Sequence, residues 1–223
     1  MTSDSRATAA YIAPFAAYVG LMAVGRALGL PPQVDFPLRF AVAVLLILLV
    51  SQPYLSLRPT RPLASVLLGI GVFVVWVGPD LLFPGYRHHW LFENAFLGKA
   101  EASIAPELRG NIPFLALRAT SSFLAVPILE ELFWRGWLMR WIIKPSFLEV
   151  PLGTYAASAF WITAVLFASE HGPYWEVGLA AGILYNWWAI RTKCLADCIL
   201  AHAVTNAILS AYVLFRGEWQ YWL

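Results

Sequence analysis

The chain has 223 residues, 60% hydrophobic and 13% charged, with a mean hydropathy of +0.67 and a formal charge of +2. So few charges cannot cover a water-soluble surface, and a small net charge without a basic run interleaved with aromatics argues against a nucleic-acid partner. The composition points to an all-α, polytopic transmembrane helix bundle, because lipid offers no hydrogen bonds to an unpaired backbone.

Apolar windows long enough to cross about 30 Å of hydrocarbon predict about seven spans. They lie near residues 8 to 25, 38 to 57, 63 to 83, 112 to 142, 152 to 171, 175 to 190 and 194 to 215. The first is too long for a signal peptide and is followed by further spans, so it reads as an uncleaved helix. Residues 84 to 111 are the only long polar connection, with room for an amphipathic helix on the membrane surface. The fourth window is too long for one straight span, and Pro127 in its middle predicts a kink or two shorter helices. Arg118 at its entrance either snorkels to the interface or answers a carboxylate such as Glu107.

Tryptophans near span ends, such as Trp137 and Trp141, Trp187 and Trp188, Trp219 and Trp222, suit anchoring at the headgroups. No repeat or Gly/Ser-rich linker divides the chain, so residues 1 to 223 read as one integral membrane domain. Short connections on the N-terminal side hold seven Lys and Arg, and the opposite side six; the difference favours a cytoplasmic N-terminus only weakly. Cys194 and Cys198 are the only cysteines, which disfavours thiolate zinc and a thioredoxin-like site.

Charges inside the fourth span need a reason, since each costs ~2.5 to 3.5 kcal/mol at mid-bilayer. Glu131 and Arg135 stand four apart with the acid first, the better order for an intrahelical ion pair. Glu130 is left over. Phe167 and His171 are one helical turn apart on the next polar-bearing span, as are His202 and Asn206 on the last. Intramembrane polar groups normally face a bundle interior or a wet cavity, so a carboxylate, two imidazoles and a carboxamide are expected to converge. Such a site can activate a water. Tyr185, Asn186 and Thr163 are candidates for lining it, with ordinary interhelical hydrogen bonds as the default.

Glu130-Glu131 with Arg135 (EExxxR), Phe167 with His171 (FxxxH) and His202 with Asn206 (HxxxN), in that order, resemble the three motifs of the CPBP intramembrane proteases. That group contains the type II CAAX prenyl endopeptidases and bacteriocin-processing or immunity proteins. The resemblance covers a core of about residues 112 to 215. It implies an endopeptidase in which Glu130 activates water, His171 holds and polarises it, and His202 and Asn206 stabilise the oxyanion. Glu131 and Arg135 would support Glu130 and keep it electrostatically separate, while Phe167 shapes the cavity. The stretches VPLGTYAASAF, GILYNWWAIRTKCLADCILAHAVTN and SAYVLFRGEWQYWL are similar to CAAX-protease-related proteins found beside exosortase systems. That implies the inner membrane of a bacterium and disfavours a prenylated CAAX substrate, since prenylation is a eukaryotic modification; the membrane-associated peptide substrate is left open between a lipid-modified tail and a C-terminal sorting signal.

Three points stay open in the sequence. Counted from Pro151 at ~1.5 Å per residue, His171 lies about 28 Å along its span, near the opposite surface from Glu130 and His202. Glu170 either caps its helix, meets solvent or acts as a second carboxylate. No cofactor is implied, yet Glu130, His171 and His202 are also a zinc- or iron-type donor set, and His88-His89 is a further, weaker metal candidate. The competing functional classes are a transporter using the same buried groups, without the repeat symmetry many transporters show, and a non-catalytic scaffold or immunity protein.

Overall fold

The computed structural model describes residues 3–222. Seven helical rods account for the bundle: α1 (Ser3–Ala27), α2 (Pro32–Tyr54), α3 (Pro62–Leu82), α4 (Ile112–Ile143), α5 (Ala157–Ser169), α6 (Trp175–Thr192) and α7 (Leu195–Arg216). Five of them, α1 to α4 and α7, are long and apolar enough to cross a membrane. Leucines and valines such as Leu48, Leu49, Leu63, Leu67 and Val74 stand exposed on α2 and α3, where lipid is the natural solvent.

Local chemistry sets the helix ends. Pro32 and Pro62 open α2 and α3 at a position whose N–H has no intrahelical partner. The Asn111 side chain accepts from the Phe114 N–H at 3.1 Å and caps α4. The Asp197 carboxylate of α7 accepts from Thr60, Arg61 and Ser65, pinning the start of α3 to the start of α7. Gly217, at φ 73°, closes α7 in the left-handed conformation that glycine tolerates.

α3 and α7 approach so closely that only glycine fits between them. A Cβ on Gly69 would lie 2.4 Å from the Ala201 carbonyl oxygen and 2.8 Å from the Val204 Cβ. The contact is completed by Thr205 Oγ1, which donates to the Gly69 carbonyl at 2.9 Å. Gly69→Ala is therefore expected to lose about 1 to 3 kcal/mol through overpacking, measurable as an earlier unfolding midpoint of the purified protein in detergent.

Three expectations are corrected. Residues 84 to 111 hold no amphipathic helix. They form 3-10 turns at Tyr86–His88 and Pro106–Leu108 and a turn in which the Asn94 side chain accepts from the Phe96 and Leu97 N–H groups. The fifth span does not begin at 152: Gly153, at φ 74°, and a Thr154 hydroxyl bond to the Pro151 carbonyl make a turn, so α5 starts only at Ala157. Counted from there, His171 lies about 21 Å along, which removes roughly half of the depth mismatch. Of the two alternatives at Pro127, separate helices are not formed. The rod runs on through two π-helical stretches, Ser121–Ala125 and Leu132–Leu138, on either side of Val126–Glu131. The first absorbs the proline, whose missing N–H would otherwise leave a gap in an α-helical ladder.

Candidate active site

Glu130 and Glu131 sit at the end of the short α-helical segment between the two π stretches of α4. Glu131 is fully buried and serves two partners through one oxygen. Its Oε1 accepts from Arg135 at 3.0 Å and lies 2.9 Å from His202 Nδ1 on α7. Arg135 is equally committed: its Nε donates to Asn186 Oδ1 at 2.9 Å, and a terminal nitrogen donates to the Gly182 carbonyl at 3.3 Å. Asn186 in turn donates to the Phe160 carbonyl at 2.9 Å. This network ties α4, α5, α6 and α7 together, and it satisfies a buried ion pair whose desolvation would otherwise dominate.

The Arg135 guanidinium also lies 4.6 Å over the Phe167 ring and 5.4 Å over Tyr185. Tyr185 stacks on His202 at 5.0 Å and donates to Thr205 at 2.8 Å, so the imidazole is fixed on its face as well as at its edge. Its other nitrogen, Nε2, points to Glu130 at 3.9 Å.

Glu130 contrasts with its neighbour. Its side chain is 15% exposed where that of Glu131 is fully buried, and its Oε2, like that of Glu131, has no hydrogen-bond partner among the described residues. It faces a cavity of about 820 Å³ enclosed by α1, α2, α4, the end of α5 and the C-terminal segment. His171 lines the same cavity, at the turn after α5, with its Nδ1 2.8 Å from the Phe167 carbonyl oxygen. Because that contact takes the Nδ1 proton, the neutral ring presents Nε2 as an acceptor.

Glu130, His171 and His202 thus come to one region. Asn206 is one turn beyond His202, and its amide donates to the Ser122 carbonyl in the first π stretch at 2.8 Å. Phe167 is buried between Arg135, His171 and His202. Tyr185 and Asn186 hold the site's supporting groups rather than an open surface. Among the described residues no set of three or more His, Cys, Asp or Glu side chains is arranged to hold a metal ion. His202 Nδ1 is taken by Glu131 and His171 Nδ1 by a backbone carbonyl, which leaves each ring's Nε2 without a hydrogen bond among the described residues. Away from the site, His88 is exposed and reaches Glu93 at 3.1 Å, a hydrogen bond that holds the Glu93 carboxyl below its usual range.

A buried polar cluster next to the cavity carries no motif in the sequence. Arg87, only 4% exposed, bonds Asp80 at 3.0 Å, pairs with Glu176 at 2.8 Å and donates to the Pro173 carbonyl. Tyr221 donates to Asp80 at 3.0 Å, and Trp222 accepts at its carbonyl from the Ser103 hydroxyl at 2.8 Å. Burial and the Glu176 bond push the Tyr86 hydroxyl above its usual range, so it remains a donor at neutral pH. Burial opposes the Arg87 charge, and the two carboxylates outweigh it. The cluster straps the long loop and residues 219–222 across one end of the bundle. Only the charged residues Asp80 and Arg87, seven apart at a span end, hint at it in the sequence.

Comparison with curated proteins and with solved structures returned no match. The family described as type II CAAX prenyl endopeptidase Rce1-like matches residues 112–208. That segment runs from the cap of α4 to just past Asn206, and contains Glu130, Glu131, Arg135, Phe167, His171, His202 and Asn206. Over this segment, 97 of the 223 residues, the chain is similar to the Rce1-like type II CAAX prenyl endopeptidases.

Proposed function

We propose that the protein hydrolyses a peptide bond of a membrane-associated substrate by direct water addition, with Glu130 as the base. The observation that carries this reading is a carboxylate with an unpartnered oxygen, facing a large cavity beside His171 and within 3.9 Å of His202. An unpaired carboxylate is costly in such a place unless it is used.

In the step proposed, Glu130 removes a proton from a water whose other hydrogen bonds His171 Nε2. The water oxygen attacks the scissile carbonyl carbon, and the carbonyl π electrons move onto its oxygen. His202 and Asn206 are assigned to that oxyanion. His202 donates to Glu131 through Nδ1–H, so donation through Nε2 requires the ring to carry both protons. Asn206 spends one N–H on the Ser122 carbonyl and keeps the second for substrate. On collapse the C–N bond breaks, and the departing nitrogen takes the proton held by Glu130. One water has then been added across one peptide bond. No Ser or Cys lies in this set, so no acyl-enzyme forms.

We write the step without a metal; a metal-dependent version would take Nε2 of His171 and His202 with Glu130 as donors, since only the Nδ1 atoms are committed, to Phe167 and Glu131, and chelation tests it. The substrate is read as a lipid-modified tail or a C-terminal sorting signal, and the location as a bacterial cell membrane, both on the sequence resemblance. The test is cleavage of a membrane peptide by the purified protein in hydroxylamine and, separately, in EDTA or 1,10-phenanthroline. Free carboxylate as the sole acyl product, with unchanged rate under chelation, is expected. A peptidyl hydroxamate would establish an acyl-enzyme and overturn the direct-water route.

A further inference from the structure

The cavity wall at the end of α5 carries a second carboxylate, Glu170, which the proposed chemistry does not use. It is exposed, and among the described residues it makes no hydrogen bond and no ion pair. It is not explained as a helix cap. Glu170 ends α5 at its C-terminus, where the helix dipole is negative and an acid is disfavoured.

Cations also stand near Glu170 and around the cavity. Arg135, on the adjoining helix, is held by Glu131, Asn186 and the Gly182 carbonyl. Arg39 is matched by Asp35 at 2.6 Å. Arg26 and Arg118 line the cavity from the end of α1 and the start of α4. Arg118 precedes Glu130 by twelve residues, about 18 Å along the rod. The cavity therefore has Glu130, Glu170 and His171 at one end, and Arg118 with Arg39 and its partner Asp35 towards the other.

Resting on the peptidase reading above, we propose that Glu170 is a specificity-determining residue that selects a substrate with a lysine or arginine close to the scissile bond. An exposed carboxylate on the cavity wall shared with Glu130 suits a long cationic side chain, which can reach it without displacing the buried network behind Glu130. Arginine offers two parallel donors to the carboxylate and lysine one mobile charge, so both are accepted.

The test uses the full-length protein in vesicles of phosphatidylethanolamine and phosphatidylglycerol. The probes are fluorogenic apolar peptides carrying a single Lys, Gln or Glu at each position within four residues of the cut. At one position the Lys peptide is expected to exceed its Gln counterpart by roughly tenfold to a hundredfold in kcat/KM, the range of a charge-assisted hydrogen bond. Glu170→Gln should bring that ratio to within about twofold of unity, and Glu170→Lys should reverse it in favour of Glu. Equal rates for Lys and Gln peptides at every position, or a preference that survives Glu170→Gln, would overturn the proposal.

A binding arm separates this inference from the peptidase reading. Affinities of the uncleaved peptides are measured on Glu130→Gln protein, with and without Glu170→Gln. If no peptide is cut but Lys peptides bind more tightly in a Glu170-dependent way, the recognition stands and the peptidase reading falls. If cleavage occurs without that dependence, the reverse holds.

Discussion

Glu130→Gln is expected to lower kcat/KM by about 10² to 10⁴, the contribution of a positioned general base, while the protein still inserts and keeps its unfolding midpoint. The amide is nearly isosteric, so His202 and the cavity wall keep their places, but it cannot take a proton from water. Stability should be preserved because Glu130 contributes little to the fold: its Oε2 is unpartnered, and its closest charged neighbour is 3.9 Å away. A rate within tenfold of wild type on a membrane peptide would remove Glu130 as the base. Glu131→Gln is a different experiment, since that carboxylate holds both Arg135 and His202, and it should lose activity and stability together.

Arg135→Met is expected to be the most destabilising single change in the site, at about 3 to 5 kcal/mol, the range for removing one partner of a buried ion pair. The guanidinium is fully buried, and its loss strands Glu131 without its counter-charge while vacating bonds to Asn186 and Gly182 on α6. Unfolding in detergent followed by intrinsic tryptophan fluorescence would read the shift. The double variant Glu131→Met/Arg135→Met should recover part of it, because apolar replacement of both partners removes the stranded charge. It should not recover activity, since His202 then has no carboxylate at Nδ1. A double variant no better than Arg135→Met would show that the loss is packing against Phe167 and Tyr185 rather than charge.

Much of this site was legible because intramembrane charge is conspicuous. Glu130, Glu131 and Arg135 stand in an apolar stretch where each needs a partner, and helical spacing paired Phe167 with His171 and His202 with Asn206. Spacing says which residues share a face of one helix and nothing about how neighbouring helices are rotated. The contact of His202 with Glu131 was therefore invisible, and Glu131 read as a partner of Arg135 alone. The start of α5 was hidden for another reason: Pro151-Leu152-Gly153 is apolar enough to continue a span, yet Gly153 turns the chain. Arg87 shows the limit of local patterns. Its partners Asp80, Pro173 and Glu176 lie up to 89 positions away, and no periodicity links them.

The two π stretches of α4 make its register tolerant of a lost residue. Each packs more residues into a turn than an α-helix does, so deleting one residue from Ser121–Ala125 or Leu132–Leu138 would let that turn relax to the ordinary ladder. The far side would keep facing the same way, and the acidic pair and Arg135 would hold their marks. A residue added or removed where no such turn can absorb it would instead swing everything beyond by about 100°, so homologues that differ by a single gap in this rod aim their acids alike only when the gap falls in a π turn.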